Sequence, residues 1–407
     1  MKKPRGERRA VESPSGLRAR RKPRTTDVGG RVVGVDADTL LLADATAVVR
    51  VELAEPADPD LEPGELVVVR GKPSTRKLRK ARLVERTPGA PPREHSEQSR
   101  FSLAGVGANL VARSRALRTV REYFDGRGFV EVETPFRVRT PGLDAHVDAI
   151  PAEGGYLVTS PELHMKRLLV GGLPRIYQIA RTSRAGEHGS QHEPEFSLVE
   201  WYRAFSNAEA VMADTEELVR SVVRELAGKP VVRLGDLRVD VRRPFERRTV
   251  RQAFREHAGV EDAADLAATD PDRYFRAMVE QVEPALAAFD RPVFLTEYPA
   301  TEAALARRTD HDPAVAERFE LYLGGVELCN GFGELTDADE QRRRFEQERD
   351  RRRRDGSPVY ELDERFLAAL AEGMPPSGGN ALGFDRLVAL ALGLGTIQDV
   401  IAFPAGV

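Results

Sequence analysis

The sequence predicts an α+β protein in which a small closed β-barrel precedes a larger unit of helices and antiparallel strand pairs. Five short β-rich runs separated by turn residues lie within residues 28–87. Farther on, 175–184 with 195–204 and 317–323 with 326–332 read as antiparallel pairs, and helical periodicity fills much of the rest. With 41% hydrophobic residues in 407, the chain has enough apolar content for a sizeable core. Lys and Arg number 62 against 65 Asp and Glu, a net charge of −3, so global charge points to neither a nucleic-acid binder nor a membrane protein. A single cysteine, Cys329, excludes an internal disulfide framework and a multi-cysteine zinc site. No apolar run approaches the roughly 18 residues of a membrane span, and no leader-like segment opens the chain. Cytoplasmic localisation is the expectation.

Residues 1–26 hold ten basic residues against Glu7 and Glu12, and 1–27 read as a disordered basic tail. Residues 28–88 form the barrel, of the OB type, with strands at Arg31–Val35, Thr39–Leu42, Ala47–Leu53, Gly64–Arg70 and Ala81–Glu85. Residues 89–100, opening on a proline-rich stretch, read as a linker, and 101–407 form the larger unit. Its first helix, 108–127, puts Leu110, Ser114, Leu117, Val120 and Phe124 on one face and ends at Gly126 and Gly128. A strand, Phe129–Thr134, follows and stops at Pro135.

Three segments carry chemistry. In the first hairpin, period two places Phe196, Glu200 and Tyr202 on one face of the outgoing strand. An aromatic, a carboxylate and a phenol together suit a pocket for a flat ring beside a cation, and Arg184 and His192 flank the polar tip where an anion would sit. In the second, Gly324-Gly325 is a two-residue turn signal. That register sets Tyr322 opposite Glu327 and Glu320 opposite Cys329, so Glu320 and Glu327 become diagonal neighbours on one face. Two carboxylates that close repel unless a cation sits between them or one stays protonated, and oxygen ligands without sulfur or an imidazole pair point to Mg²⁺. Glu334 has the opposite parity to Glu320 and joins the same pocket only through a bulge, expected at Asn330-Gly331 or Gly333. In the third, Gly378 and Gly379 allow close backbone approach, and Arg386 lies in the first turn of a helix starting near Gly383.

Together these segments resemble motifs 1, 2 and 3 of class II aminoacyl-tRNA synthetases of the Lys, Asp and Asn subgroup: GFVEVETP, the Arg184–Glu200 hairpin, and ALGFDRLVAL. The resemblance runs from Phe101 to Pro404 and is nearest to the elongation factor P lysine ligases, paralogs of lysyl-tRNA synthetase, through GMPPSGGNALGFDRLVALALG and YPATEAALA. It implies a class II catalytic domain, an antiparallel sheet flanked by helices, that uses ATP and Mg²⁺. It also implies a homodimer through motif 1. Arg184 and Arg386 would be the catalytic residues, Arg184 on the α-phosphate and substrate carboxylate, and Arg386 with His192 on the outer phosphates. Phe196 would stack on adenine, and Glu320 and Glu327 would bind Mg²⁺. Glu162 would take the substrate's amino end, Glu200, Tyr202 and Glu334 its side-chain ammonium, and Asn330 its carboxylate.

This chain departs from the family at motif 2, where Ser183-Arg184-Ala185-Gly186 replaces Phe-Arg-Asn-Glu. Either the loop slips by one and Glu187 reads adenine, or nucleotide binding is weakened. Glu193 stands where the family has Asn, close to the phosphates. Ala381 replaces the glycine of lysyl-tRNA synthetases, a change associated with β-lysine preference. The resemblance implies activation of lysine or β-lysine and transfer to a lysine of elongation factor P. The competing readings are a ligase charging tRNA and a non-catalytic paralog. Residues 28–100 contain no Phe, Tyr or Trp, so the barrel lacks the stacking platform that reads bases. Helix 338–355 carries eight basic against six acidic residues, and its block Arg351–Arg354 is expected to attract an acidic macromolecule.

Overall fold

The computed structural model describes residues 11–19, 25–74, 77–142 and 147–405. Contacts divide the chain into two units, Met1–Val111 and Ala112–Val407.

In the first unit, strands Thr26–Asp36, Thr39–Ala43, Val48–Leu53, Leu66–Ser74 and Lys77–Thr87 close into a barrel. Closure comes from the first strand, which pairs antiparallel with both the second and the fourth. The third runs parallel to the fifth, which returns antiparallel to the fourth. Alternation puts Val28, Val32, Leu40, Leu42, Val49, Val51, Val67 and Val69 inside, as the period-two pattern requires.

The disordered tail is corrected over residues 11–19. Val11–Glu12 pairs parallel with Asp27–Val28, and Pro14–Ala19 is a helix. Its anchor is one apolar side chain, Leu17, which joins the barrel core, helped by the Ser15 amide donating to Asp44 at 2.8 Å. Average composition hides a single Leu, which is why the segment reads as having nothing to bury. The rest of the expected tail, 1–10 and 20–24, lies outside the described residues.

The division between units falls inside the helix Val106–Asp125, later than the expected boundary at Phe101. The first turn belongs with the barrel unit because Gly107 abuts Ala45 there, and a Cβ at 107 would come 2.6 Å from Ala45 Cβ.

The second unit is built on an eight-stranded sheet. Its order is Glu246–Thr249, Val293–Pro299, Val315–Leu323, Val326–Gly333, Ser377–Gly383, Glu195–Ala204, Arg175–Ser183 and Val130–Glu131. The six inner strands are antiparallel throughout, and each edge strand runs parallel to its neighbour. The expected strand Phe129–Thr134 shrinks to Val130–Glu131, exposed on both sides at the sheet edge. On one face Val199, Trp201, Phe319 and Leu321 pack with Phe124 and the helices Ala208–Ala227 and Phe384–Leu392. On Val106–Asp125 the buried stripe is Ala112, Ala116, Val120, Tyr123 and Phe124, with Ser114 exposed. The opposite sheet face, carrying Phe196 of one hairpin and Glu320, Glu327 and Asn330 of another, with strand Ser377–Gly383 between the two, looks into the cavity described next.

Helix Ala338–Arg354 starts at Asp337, whose side chain accepts the Glu340 amide. Its arginine block is not uniformly a surface. Arg352 is 1% exposed, donates to Pro358 O at 2.7 Å, pairs with Asp148 and lies over the Tyr360 ring.

Candidate active site

A cavity of about 1270 Å³ lies over the polar sheet face, and its lining includes Glu162, Arg184, Glu187, His192, Phe196, Glu320, Glu327, Asn330, Ala381 and Arg386. Three predicted residues, Glu200, Tyr202 and Glu334, sit deeper, 0%, 3% and 1% exposed beneath its floor.

The deep end is acidic. Glu200 accepts a hydrogen bond from Ser160 at 2.8 Å and from Tyr202 at 2.6 Å. Burial first, then the nearby Glu162 charge, pushes its carboxyl up to about 8, against the two hydrogen bonds that favour the anion. Glu334 is likewise raised by burial, to about 7, with Lys166 holding it down. Lys166 is 1% exposed and bridges Glu162 at 2.7 Å and Glu334 at 2.5 Å. Burial alone would lower its ammonium, and the two carboxylates outweigh that and raise it. Three carboxylates thus share one resident cation.

The shallow end is cationic and aromatic. The Arg184 guanidinium lies 5.1 Å from the Phe196 ring centroid and 3.4 Å from Glu187, while its Nε is buried without a partner. Arg386 reaches His192 Nε2 at 2.8 Å, the Gln191 carbonyl at 3.1 Å and the Glu327 carbonyl at 2.9 Å. Burial, then Arg386, lowers the His192 imidazole. Asp385, one residue before Arg386, fixes this corner by accepting from the Ser197 amide at 2.7 Å and from Arg113 at 2.8 Å.

The second hairpin requires a correction. Tyr322 does oppose Glu327, but a bulge follows immediately, so Leu321 opposes Cys329 and Glu320 opposes Asn330. The extra residue is Leu328, not a glycine farther along. Leu328 and Cys329 are both buried, two successive apolar side chains that a simple alternation would split between faces. The bulge flips the parity, bringing Asn330 and Glu334 to the side that Glu320 and Glu327 already share. Glu320 accepts from Arg318 at 2.6 Å, Tyr298 at 2.6 Å and Tyr322 at 2.7 Å. Among the described residues no group of three His, Cys, Asp or Glu gathers as a metal site. Two carboxylates fit Mg²⁺ only in its usual form, shared with substrate phosphates.

At motif 2, Gly186 has φ +75°, a left-handed turn that favours glycine, and the next residue, Glu187, faces the cavity. Asn330 also lines it and has a buried, unpartnered Oδ1. Ala381 is in register with both Asn330 and Glu200.

Sequence reasoning missed Lys166, Ser160, Arg318, Asp385 and the role of Gly379. Lys166 had a signal, since it stands four residues after Glu162 on the helix Glu162–Val170. Gly379 is opposite Tyr202, and a Cβ there would press into the Tyr202 ring and meet Glu334.

The tRNA synthetases of class II (D, K and N) match residues 100–406. The elongation factor P–(R)-β-lysine ligase of Edwardsiella ictaluri is 41% identical over 325 residues, 76% of this chain and 98% of that protein. That of Proteus mirabilis is 40% identical over 73% of this chain and 95% of its own length. The lysine–tRNA ligase of Histophilus somni is 36% identical over 73% of this chain, but only 64% of that protein is covered. With this match and this arrangement of its three motifs, the chain belongs to the class II tRNA synthetases of the D, K and N group.

Proposed function

We propose that this chain is an ATP-dependent ligase that activates lysine or β-lysine as an acyl-adenylate and transfers it to a lysine of elongation factor P. The observation that carries the substrate is the charge balance beneath the cavity. Glu162, Glu200 and Glu334 face one resident cation, Lys166, so two further cations are needed before all three carboxylates are ionised and matched, Glu200 releasing its proton as one of them binds. A substrate with two ammonium groups supplies them, and a neutral or acidic amino acid does not. The acceptor rests on the relatives, since the ligases named for elongation factor P are matched over nearly their full length.

In the first step the amino-acid carboxylate attacks the α-phosphorus of ATP in line and pyrophosphate leaves. In the second the acceptor's ε-amine attacks the acyl carbon, AMP leaves, and an amide forms. No enzyme nucleophile is required, and the chain's contribution is alignment and charge neutralisation. Arg184 would hold the α-phosphate and substrate carboxylate, Arg386 and His192 the outer phosphates, Phe196 the adenine ring and Glu187 its amino group. Glu320 and Glu327 would hold Mg²⁺, which screens the phosphate charge when bound. Asn330 Oδ1, buried and unpartnered, and Ala381 face the substrate's head. We further infer a barrel domain over 28–88, a linker over 89–100 and a catalytic domain over 101–407. A homodimer through motif 1 and cytoplasmic localisation belong to the same reading.

Amino-acid-dependent ATP–pyrophosphate exchange over a panel with both lysine isomers tests the first step. The second is tested by incubation with elongation factor P, expected to gain one aminoacyl mass. Robust charging of tRNA with no mass added to the factor would refute the acceptor. The 36% identity to lysine–tRNA ligases keeps that reading in play, and the aromatic-free barrel disfavours it.

A further inference from the structure

The loop 184–194 carries Arg184, Glu187 and His192, yet Gly186, His188, Gly189 and Ser190 at its tip are exposed and contribute no core packing. Its shape has to come from elsewhere. Four hydrogen bonds tie it to segment 395–405. The Ile397 amide donates to Ser190 O at 2.9 Å, and Gln191 Nε2 donates to Gly395 O at 3.0 Å. Glu193 makes the other two, accepting from Gln398 Nε2 at 2.7 Å and from the Ala405 amide at 2.7 Å. Glu193 is 2% exposed, and both of these donors are neutral. A buried carboxylate served by neutral donors costs several kcal/mol of desolvation unless its bonds are well made. Both oxygens are used here, each on a different part of the same segment.

We propose that Glu193 is a positioning residue for the nucleotide, a latch that holds the ATP loop against segment 395–405 so that Arg184, Glu187 and His192 face the cavity. This rests on the reading of the cavity as an ATP site. An acid this close to the phosphates would repel them if it faced the cavity, but both Glu193 oxygens are bound to the segment.

The two accounts make opposite predictions for two variants. If the acid repels phosphate, Glu193→Ala and Glu193→Gln both tighten ATP binding. If it is a latch, Glu193→Ala weakens ATP binding roughly tenfold, from the loss of hydrogen bonds to a charged acceptor. Glu193→Gln then stays near wild type, since its amide accepts from Ala405 and donates to a flipped Gln398. Gln398→Ala, at an exposed position, gives a smaller weakening in the same direction without threatening the fold. The readout is the ATP Kd by calorimetry, with melting temperature as the control for folding and rescue by Glu193→Gln separating the latch from a general loss of structure. An unchanged or tighter Kd in Glu193→Ala overturns the latch, as does loss in Glu193→Gln equal to that in Glu193→Ala. A wild-type chain that binds ATP but exchanges no pyrophosphate refutes the activation reading alone.

Discussion

Glu200 makes the use of lysine depend on pH in a way that can be worked out from its surroundings. Its carboxyl is pushed up to about 8, with Ser160, Glu162, Lys166 and Tyr202 as the polar and charged groups acting on it. At pH 7 it holds its proton, and a substrate ammonium must drive that proton off at about 1.4 kcal/mol per pH unit below 8. The KM for lysine in pyrophosphate exchange should therefore fall roughly tenfold per pH unit between pH 6.5 and 8 and then level off. Tyr202→Phe removes the 2.6 Å bond that favours the anion. A bond to a charged acceptor is worth about 1.5–3 kcal/mol, so the variant's profile should move up by about 1–2 pH units. The same proton carries a stability sign. A carboxyl raised above its usual 4.5 in the folded chain lowers stability as pH rises from there toward 8. A flat KM over this range, after correction for lysine's own titration, would refute the reasoning, as would an unshifted profile in Tyr202→Phe.

Other expectations concern single sites. Glu334→Gln removes one carboxylate from Lys166, and breaking a buried pair costs about 3–5 kcal/mol, so lysine-dependent exchange should drop at least about 100-fold while ATP Kd stays within a few-fold. Gly379→Ala should raise the lysine KM at least about tenfold by displacing Tyr202 and Glu334, at about 1–3 kcal/mol of overpacking, and a crystal structure or KM showing neither would count against the packing argument. Glu187→Ala should narrow discrimination between ATP and GTP in the exchange assay if Glu187 reads adenine, and unaltered discrimination would remove it from that role. Arg352→Ala should unfold at lower temperature, by about 1–3 kcal/mol, whereas Arg351→Glu with Arg354→Glu should leave melting nearly unchanged and slow acyl transfer more than adenylate formation.

Much of the site was legible because a strand has a period of two. Once Glu200 and Tyr202 were placed on a strand, Phe196 followed, and the core face with Trp201 followed with it. The Gly324-Gly325 turn set Tyr322 against Glu327, as observed. What the residues did not announce was the bulge. Gly331 and Gly333 advertise backbone freedom, but both are needed for close packing, against Phe319 and Glu317 respectively. The bulge sits at Leu328 because two adjacent apolar side chains go to one core, a tertiary demand that no local pattern displays. Lys166 was passed over for a related reason. A lysine four residues after a glutamate reads as a surface pair, and only the sheet packed above it shows that it is buried. The segment 11–19 depends on one leucine finding the barrel.

The bulge at Leu328 has a consequence for how this site can change over time. It works as a phase shift in the pleat, in which odd positions up to Glu327 and even positions from Asn330 serve the same pocket. Removing one residue there would restore simple alternation and carry Asn330, Phe332 and Glu334 through to the side of Trp201 and Phe319, setting a carboxylate among aromatic rings. Such a lesion strikes folding before it strikes catalysis. The length of this strand is therefore held by the core while its chemistry is held by the pocket. New amino-acid specificities are open to this strand by exchanging side chains in place, and closed to it by slippage.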